Sequence, residues 1–205
     1  MDLVRLDNKK KIFHHFINQA YLQIYSIADL DDYYWEDSEF YGWIEQGELK
    51  LVVLLHYGFD IPILSILTEN NSFDLSRMFI SLQEIIPQRV YASFTPGIKT
   101  IFRDHYDLES QGDCFKMGLV DPSRLDLINI SEVVGLSGPD EPQIMKLYEL
   151  SYPNNWFLPR MLDHGHFYGI KNGAELISLG GTHVYSSQYN VATLGNLATH
   201  PQYRG

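Results

Sequence analysis

Leu194-Gly195-Asn196-Leu197-Ala198-Thr199-His200-Pro201-Gln202-Tyr203-Arg204-Gly205 is the stretch that decides the fold. Val191 to His200 has the composition of a strand. Pro201 ends it, because its ring fixes φ and removes a backbone donor. Gly205 then opens a turn in which the main chain can approach another group closely. Working outward, Phe167 to Ile170 and Leu176 to Tyr185 read as two further strands. Lys171-Asn172-Gly173 and Ser186 to Asn190 supply the turns, the first with the Asn-Gly chemistry of a tight hairpin. Asp140-Glu141-Pro142 opens a helix through Leu150, its acidic residues placed at the positive end of the helix dipole. Tyr152 to Leu162 reads as a loop and a second helix.

Upstream, Pro122, Gly135, Gly138 and Pro139 interrupt residues 121–138, and no long apolar period runs through them, as expected of a connection. Before it the pattern starts afresh. Apolar residues from Ile12 to Ile27 recur at helical spacing, so residues 9–27 predict one helix. An acidic, aromatic segment follows as a helix or loop. Leu49–Leu55 and Ile61–Leu67 form adjacent strands around Tyr57-Gly58-Phe59-Asp60, with Pro62 at a strand start or edge. Asp74 caps a helix through Ile86, which Pro87 stops. Arg89–Phe94 gives a strand, Pro96 begins a helix to His105, and Cys114–Val120 closes as another strand. Residues 1–122 thus form an α+β unit, 123–138 a linker and 139–205 a second unit.

The chain has 205 residues, is 45% hydrophobic and carries a net charge of −11. It can bury a substantial core, and its charge opposes nucleic-acid binding, which needs clustered Lys and Arg. Lys9-Lys10-Lys11 is the only basic run and reads as a solvated helix start. Asp29 to Glu48 holds eight acidic residues and no Lys or Arg, as a solvated face with anchoring aromatics would, the rival reading being an amine-attracting rim. No apolar stretch is long enough for a membrane span or a secretion signal, so no membrane association and a cytoplasmic location are expected. Cys114 stands alone and reads as a small packing residue.

Leu194 to Gly205 resembles, over twelve consecutive positions, the strand-to-loop segment of the GNAT superfamily of N-acetyltransferases, in which a strand is followed by Arg/Gln-x-x-Gly-x-Gly/Ala and a helix. Helix, helix, strand, hairpin, strand and Arg-Gly over residues 128 to 205 is similar to the first half of such a domain. The pattern breaks off after Arg204-Gly205, so the resemblance implies an incomplete second unit. The amino-terminal element order is also similar to a whole GNAT domain. Its Leu67 to Asp74 junction lacks glycine and basic residues, and Glu69 and Asp74 would repel a pyrophosphate, which suggests a unit that has lost cofactor binding. The fold class is therefore α+β, with tandem GNAT-like units, each a mixed, mostly antiparallel sheet flanked by helices.

The resemblance implies acetyl-CoA as co-substrate and a small amine or amino acid as acceptor, acylated by direct attack. Leu197, Ala198 and Thr199 would pair the amide-bearing arm of the carrier along the strand edge. Tyr203, Arg204 and Gly205 would begin the pyrophosphate turn. His183, on the neighbouring strand, is the candidate base, against a structural histidine. Asn196 would orient substrate or water, against a residue that supports a turn or bulge. Trp156, Phe157 and Arg160 fall where the family lines its acceptor site, with core packing and a surface ion pair as the competing readings. His164-Gly165-His166 is too small a donor set for a metal, and none is expected. A chain that ended at this open edge would associate, as a homodimer, through it. The alternative function is a non-catalytic module that binds a small ligand or partner.

Overall fold

A computed structural model of the chain describes residues 2–69 and 73–205. It divides into two compact units, Met1–Gly118 and Leu119–Gly205. The α+β class holds in both.

Unit 1 is built on β1 (Asp2–Leu6), β2 (Ser38–Glu45), β3 (Glu48–His56), β4 (Ile63–Ile66) and β5 (Tyr91–Phe94), hydrogen-bonded in that order. Neighbours run antiparallel except β4 and β5, which are parallel. Gln46 and Gly47 join β2 to β3 with φ of 53° and 82°, the double positive φ that matches a tight hairpin to the twist of its strands. Strand alternation sorts β3 onto two faces. Leu51, Val53 and Leu55 are buried in one core with Met78, Phe79 and Leu82 of α4 (Leu75–Leu82) and Ile98 and Phe102 of α5 (Pro96–Arg103). Val52 and Leu54 are buried on the opposite face. Asp74 caps α4 by accepting from the Arg77 amide at 3.0 Å.

Three expectations for this unit change. The single helix over 9–27 is α1 (Lys9–Phe16), a 3-10 turn (Ile17–Gln19) and α2 (Ile24–Ala28). Gln23 sits at the break, 4% exposed, and its Nε2 donates to the Leu67 carbonyl at 2.6 Å, a tertiary bond that outweighs local periodicity. The acidic segment contains α3 (Asp32–Trp35) and then β2, second in the sheet and flanked by β1 and β3. Its charges conceal an alternation that buries Ser38, Phe40 and Gly42. Cys114–Val120 forms no strand. Among the described residues no strand pairs with it, Phe115 and Met117 stand 89% and 90% exposed, and Lys116 donates to the Leu22 carbonyl at 2.9 Å. In the junction from Leu67 to Asp74, Asn70, Asn71 and Ser72 lie outside the described residues.

Unit 2 carries an antiparallel sheet in the order β6 (Val133–Leu136), β7 (Phe167–Asn172), β8 (Glu175–Ser186) and β9 (Val191–Thr199). Val133–Leu136 lies within the span expected to be a linker. It pairs with β7 from Val133↔Ile170 to Leu136↔Phe167, so part of that span is a sheet edge. Four residues interrupted by Gly135 were too short to show a period. Helix α6 (Glu141–Ser151) buries Ile144, Leu147 and Tyr148 against Leu136, Phe157, Phe167, Leu176, Leu179 and Ala198. The short α7 (Met161–His164) precedes β7. Among the described residues no helix is long and apolar enough to cross a membrane.

Candidate functional site

Two irregularities in one strand pair shape the site. Between Leu179↔Ala198 and Gly181↔Gly195, the single residue Gly180 faces both Asn196 and Leu197. Asn196 takes φ of 53° there, a conformation asparagine tolerates better than most residues. This is a β-bulge, and it bends β9 just before its last turn of strand. Between Thr182↔Leu194 and Val184↔Thr193 the extra residue lies on β8 instead, and it is His183. A Cβ on Gly195 would sit 2.9 Å from the His183 Cβ, so glycine is what lets the histidine lie across β9.

The structure thus brings His183 and Asn196 together. Burial pushes the His183 imidazole below its ordinary value, and a hydrogen bond with the Asn196 side chain opposes that shift. Burial is the larger of the two effects, so the neutral ring, the form that accepts a proton, is favoured. Asn196 is buried, and its Nδ2 also reaches the Thr182 carbonyl at 3.4 Å and the Met161 sulfur at 3.6 Å.

The bulge has a second support that the sequence reading missed. Tyr148 is 1% exposed on α6, and its hydroxyl donates to the Asn196 carbonyl at 2.8 Å. Burial pushes that phenol up, away from ionisation, so it serves as a donor. The available signal was a tyrosine on the apolar face of an amphipathic helix, since a buried phenol needs a hydrogen-bond partner.

Beyond the bulge, Leu197 points outward at 69% exposure and Ala198 inward at 7%. β9 ends the sheet, so among the described residues no strand pairs with its outer edge. A groove of about 590 Å³ is lined by Leu197, Ala198 and Thr199 of this strand, by Ser178 and Leu179 of β8, by Arg204 and by the end of α6 at Ser151 and Tyr152.

Arg204 closes the groove by bonding backbone. Its Nε donates to the Thr199 carbonyl at 2.9 Å and its Nη2 to the Ser151 carbonyl at 3.0 Å. The second contact places a cation on the negative end of α6. Tyr203 accepts from Asn172 Nδ2 at 2.9 Å, which ties the turn Pro201–Tyr203 to the β7–β8 hairpin. Gly205 has φ of 121°, available at low cost only to glycine.

Of the residues expected at an acceptor site, Phe157 packs in the core of unit 2. It is 7% exposed, 5.3 Å from the Tyr148 ring and 5.5 Å from Phe167, the packing that the competing reading expects. Trp156 and Arg160 are half-buried in the same loop, which Asn155 braces by accepting from the Phe157 amide at 2.8 Å. Met161, at the loop's end, touches Asn196 and brings the segment to the bulge. His164 contacts the Tyr185 carbonyl at 3.0 Å, and the His166 ring lies edge-on to Tyr185. Among the described residues no three His, Cys, Asp or Glu side chains gather as a metal site.

No family model and no curated protein matches the chain. Among solved structures it is similar to the crystal structure of a Novosphingobium aromaticivorans protein assigned as a GNAT-family acetyltransferase. The identity is 26% and the TM-score 0.33, over 38% of this chain and 34% of the other. The chain therefore spans about a third of that protein's length.

Proposed function

We propose that unit 2 belongs to an N-acyltransferase that moves an acetyl or other acyl group from coenzyme A to a small amine or amino acid. One observation carries the reading. The last residues of β9, just past the bend at Asn196, line a groove together with Arg204, the residue that follows the Pro201–Tyr203 turn.

The co-substrate, when bound, supplies a thioester carbonyl for attack by the amine and a thiol as leaving group. The chain's residues supply placement and proton handling. The edge from Leu197 to Thr199 pairs an amide-bearing arm as an added strand would. The turn at Tyr203 to Gly205 presents main-chain amides to phosphate oxygens, with the Arg204 charge holding it closed. His183 accepts the proton that the acceptor's ammonium must lose to become the attacking amine, and Asn196 fixes the imidazole through its side chain. Trp156 and Arg160 stand on the acceptor side, which Met161 connects to Asn196. Cys114, exposed and free, suits a reducing, cytoplasmic compartment.

Acetyl-CoA titrated calorimetrically into the protein is expected to bind, and amines screened for thiol release should reveal the acceptor class. Absence of acetyl-CoA binding overturns the proposal. Binding without thiol release across amines and amino acids turns it into the non-catalytic module.

A further inference from the structure

We infer that unit 1 holds an anion site of its own, for a compact phosphate-bearing ligand, in the groove between α1 and the start of β3. The groove has a volume of about 840 Å³, and Lys10, Lys11 and His14 line it from the helix while Lys50 lines it from the strand. The chain as a whole has 26 Asp and Glu against 15 Lys and Arg. Here the bias reverses. Among the described residues Glu48 is the one acidic residue in the lining, and Lys50 already pairs with it.

The local structure explains how the cations gather. Ile12 and Phe16 are buried at 0% and 1% exposure and root α1 in the core, which turns Lys10, Lys11 and His14 to the opposite side of the helix. Lys9 leaves the group, pairing with Asp32 at 2.5 Å and lying 4.6 Å from the centre of the Trp35 ring. The lysine run that reads as a solvated helix start is therefore divided between two tasks. The floor is fixed as well, since Gln23 bonds the Leu67 carbonyl beside Thr68 at the end of β4.

Several ammonium groups converging from two elements, with amide donors among them, select a ligand carrying more than one negative charge. Phosphate fits this better than an extended polyanion. Nucleic acid would meet the repulsion of a chain whose net charge is −11. The inference does not rest on acyl transfer by unit 2.

The test is inorganic pyrophosphate titrated at low salt into the 15N-labelled full chain. Saturating amide shifts are expected at residues 10–15 and 49–51, weakening as salt rises. In the Lys10→Ala/Lys11→Ala variant the affinity read at these amides should fall about tenfold or more, since two charge-assisted contacts are lost. Both lysines are exposed, so the variant should keep its fold, and Lys50→Gln gives an independent check from the strand side. Shifts confined to residues 197–205 overturn the inference while supporting the unit 2 reading. No shifts in either region, or shifts in α1 that survive both variants, also overturn it.

Discussion

The fourth strand of unit 1 and the fourth strand of unit 2 occupy the same place in the order of elements and have opposite fates. β4 is Ile63-Leu64-Ser65-Ile66, with three of its four residues buried and with β3 on one side and β5 on the other. β9 is nine residues long, bonds to β8 alone, and kinks at Gly195-Asn196. One residue choice separates them. Branched and aliphatic side chains make β4 a regular member of the core, paired with a strand on each side. Glycine and asparagine in β9 admit a bulge, which brings a histidine and an amide side by side and leaves the outer edge available. The lesson is that topology provides a strand at this position, and its side chains determine whether that strand is structure or site.

The sharpest way to break the comparison uses two histidines, one in each unit's third strand. His183→Gln should lower acyl transfer about 10²- to 10⁴-fold, the usual worth of a placed general base. It should also remove the acid limb of the pH–rate profile. Because burial lowers the His183 pKa, that limb should fall below the ordinary imidazole range. His56 in β3 is 5% exposed and shares a hydrogen bond with Ser38 at 3.0 Å. His56→Gln should reduce stability yet leave turnover per folded molecule unchanged. Equal losses in the two variants would mean that the bulged edge has no privileged role.

Tyr148→Phe sharpens the comparison at the bulge itself. The ring stays in the core, but the Asn196 carbonyl loses its 2.8 Å donor in a buried setting, a loss worth about 1–3 kcal/mol. Denaturant midpoints should fall accordingly, and acetyl-CoA affinity should weaken with them. A variant as stable as the parent, with unchanged affinity, would show that β9 holds its shape without α6.

The uneven legibility of the sequence has the same origin. β7, β8 and β9 could be read because tight turns bracket them, and Asp74 and Pro96 were found because caps and proline act through neighbours along the chain. Tyr148 and Asn196 are 48 residues apart, so no local pattern connects them. The bulge at His183 was equally invisible, since a register shift exists only between two strands. β2 was hidden by its charges. Glu45, 9% exposed, accepts from the Trp43 indole at 2.9 Å and from the Asp74 amide at 3.0 Å, which shows how an acidic residue can belong to a core strand once partners surround it. Phe157 was ambiguous for a related reason, because the sequence offers an aromatic residue without saying which side of the loop receives it.

A smaller effect separates the units by pH. Asp29 in unit 1 lies 3.8 Å from His56 Nδ1, too far for a hydrogen bond, while Ser38 takes that nitrogen at 3.0 Å. Burial therefore dominates over ion pairing, and with the Asp37 charge nearby it pushes the Asp29 carboxyl up to about 8. The folded state then holds a proton that unfolding releases. Stability from this group is fully present below about pH 4, declines as pH rises toward 8, and is gone above it, with a slope of at most about 1.4 kcal/mol per pH unit. Asp29→Asn should flatten that decline and be the more stable protein above pH 8. Thermal denaturation at stepwise pH measures it, and a parent protein with flat stability from pH 5 to 8 would place Asp29 as an ion-paired carboxylate instead.

Arg204→Ala should have the smallest effect on folding, and for that reason it isolates function best. The side chain is exposed, and its bonds to the Thr199 and Ser151 carbonyls are exchanged for water on removal. About 0.3–1 kcal/mol is the expected loss, the scale of a cation at a helix carboxyl end. Acetyl-CoA affinity should fall well beyond that, because the variant frees the turn that carries Gly205 and removes the positive charge at the mouth of the groove. Arg204→Lys keeps the charge but cannot hold both carbonyls with a planar fork, so it should recover only part of the affinity. Full recovery would show that charge alone matters and that the closed turn is incidental, and the difference between β9 and β4 would then lie in the bulge rather than in the turn that follows it.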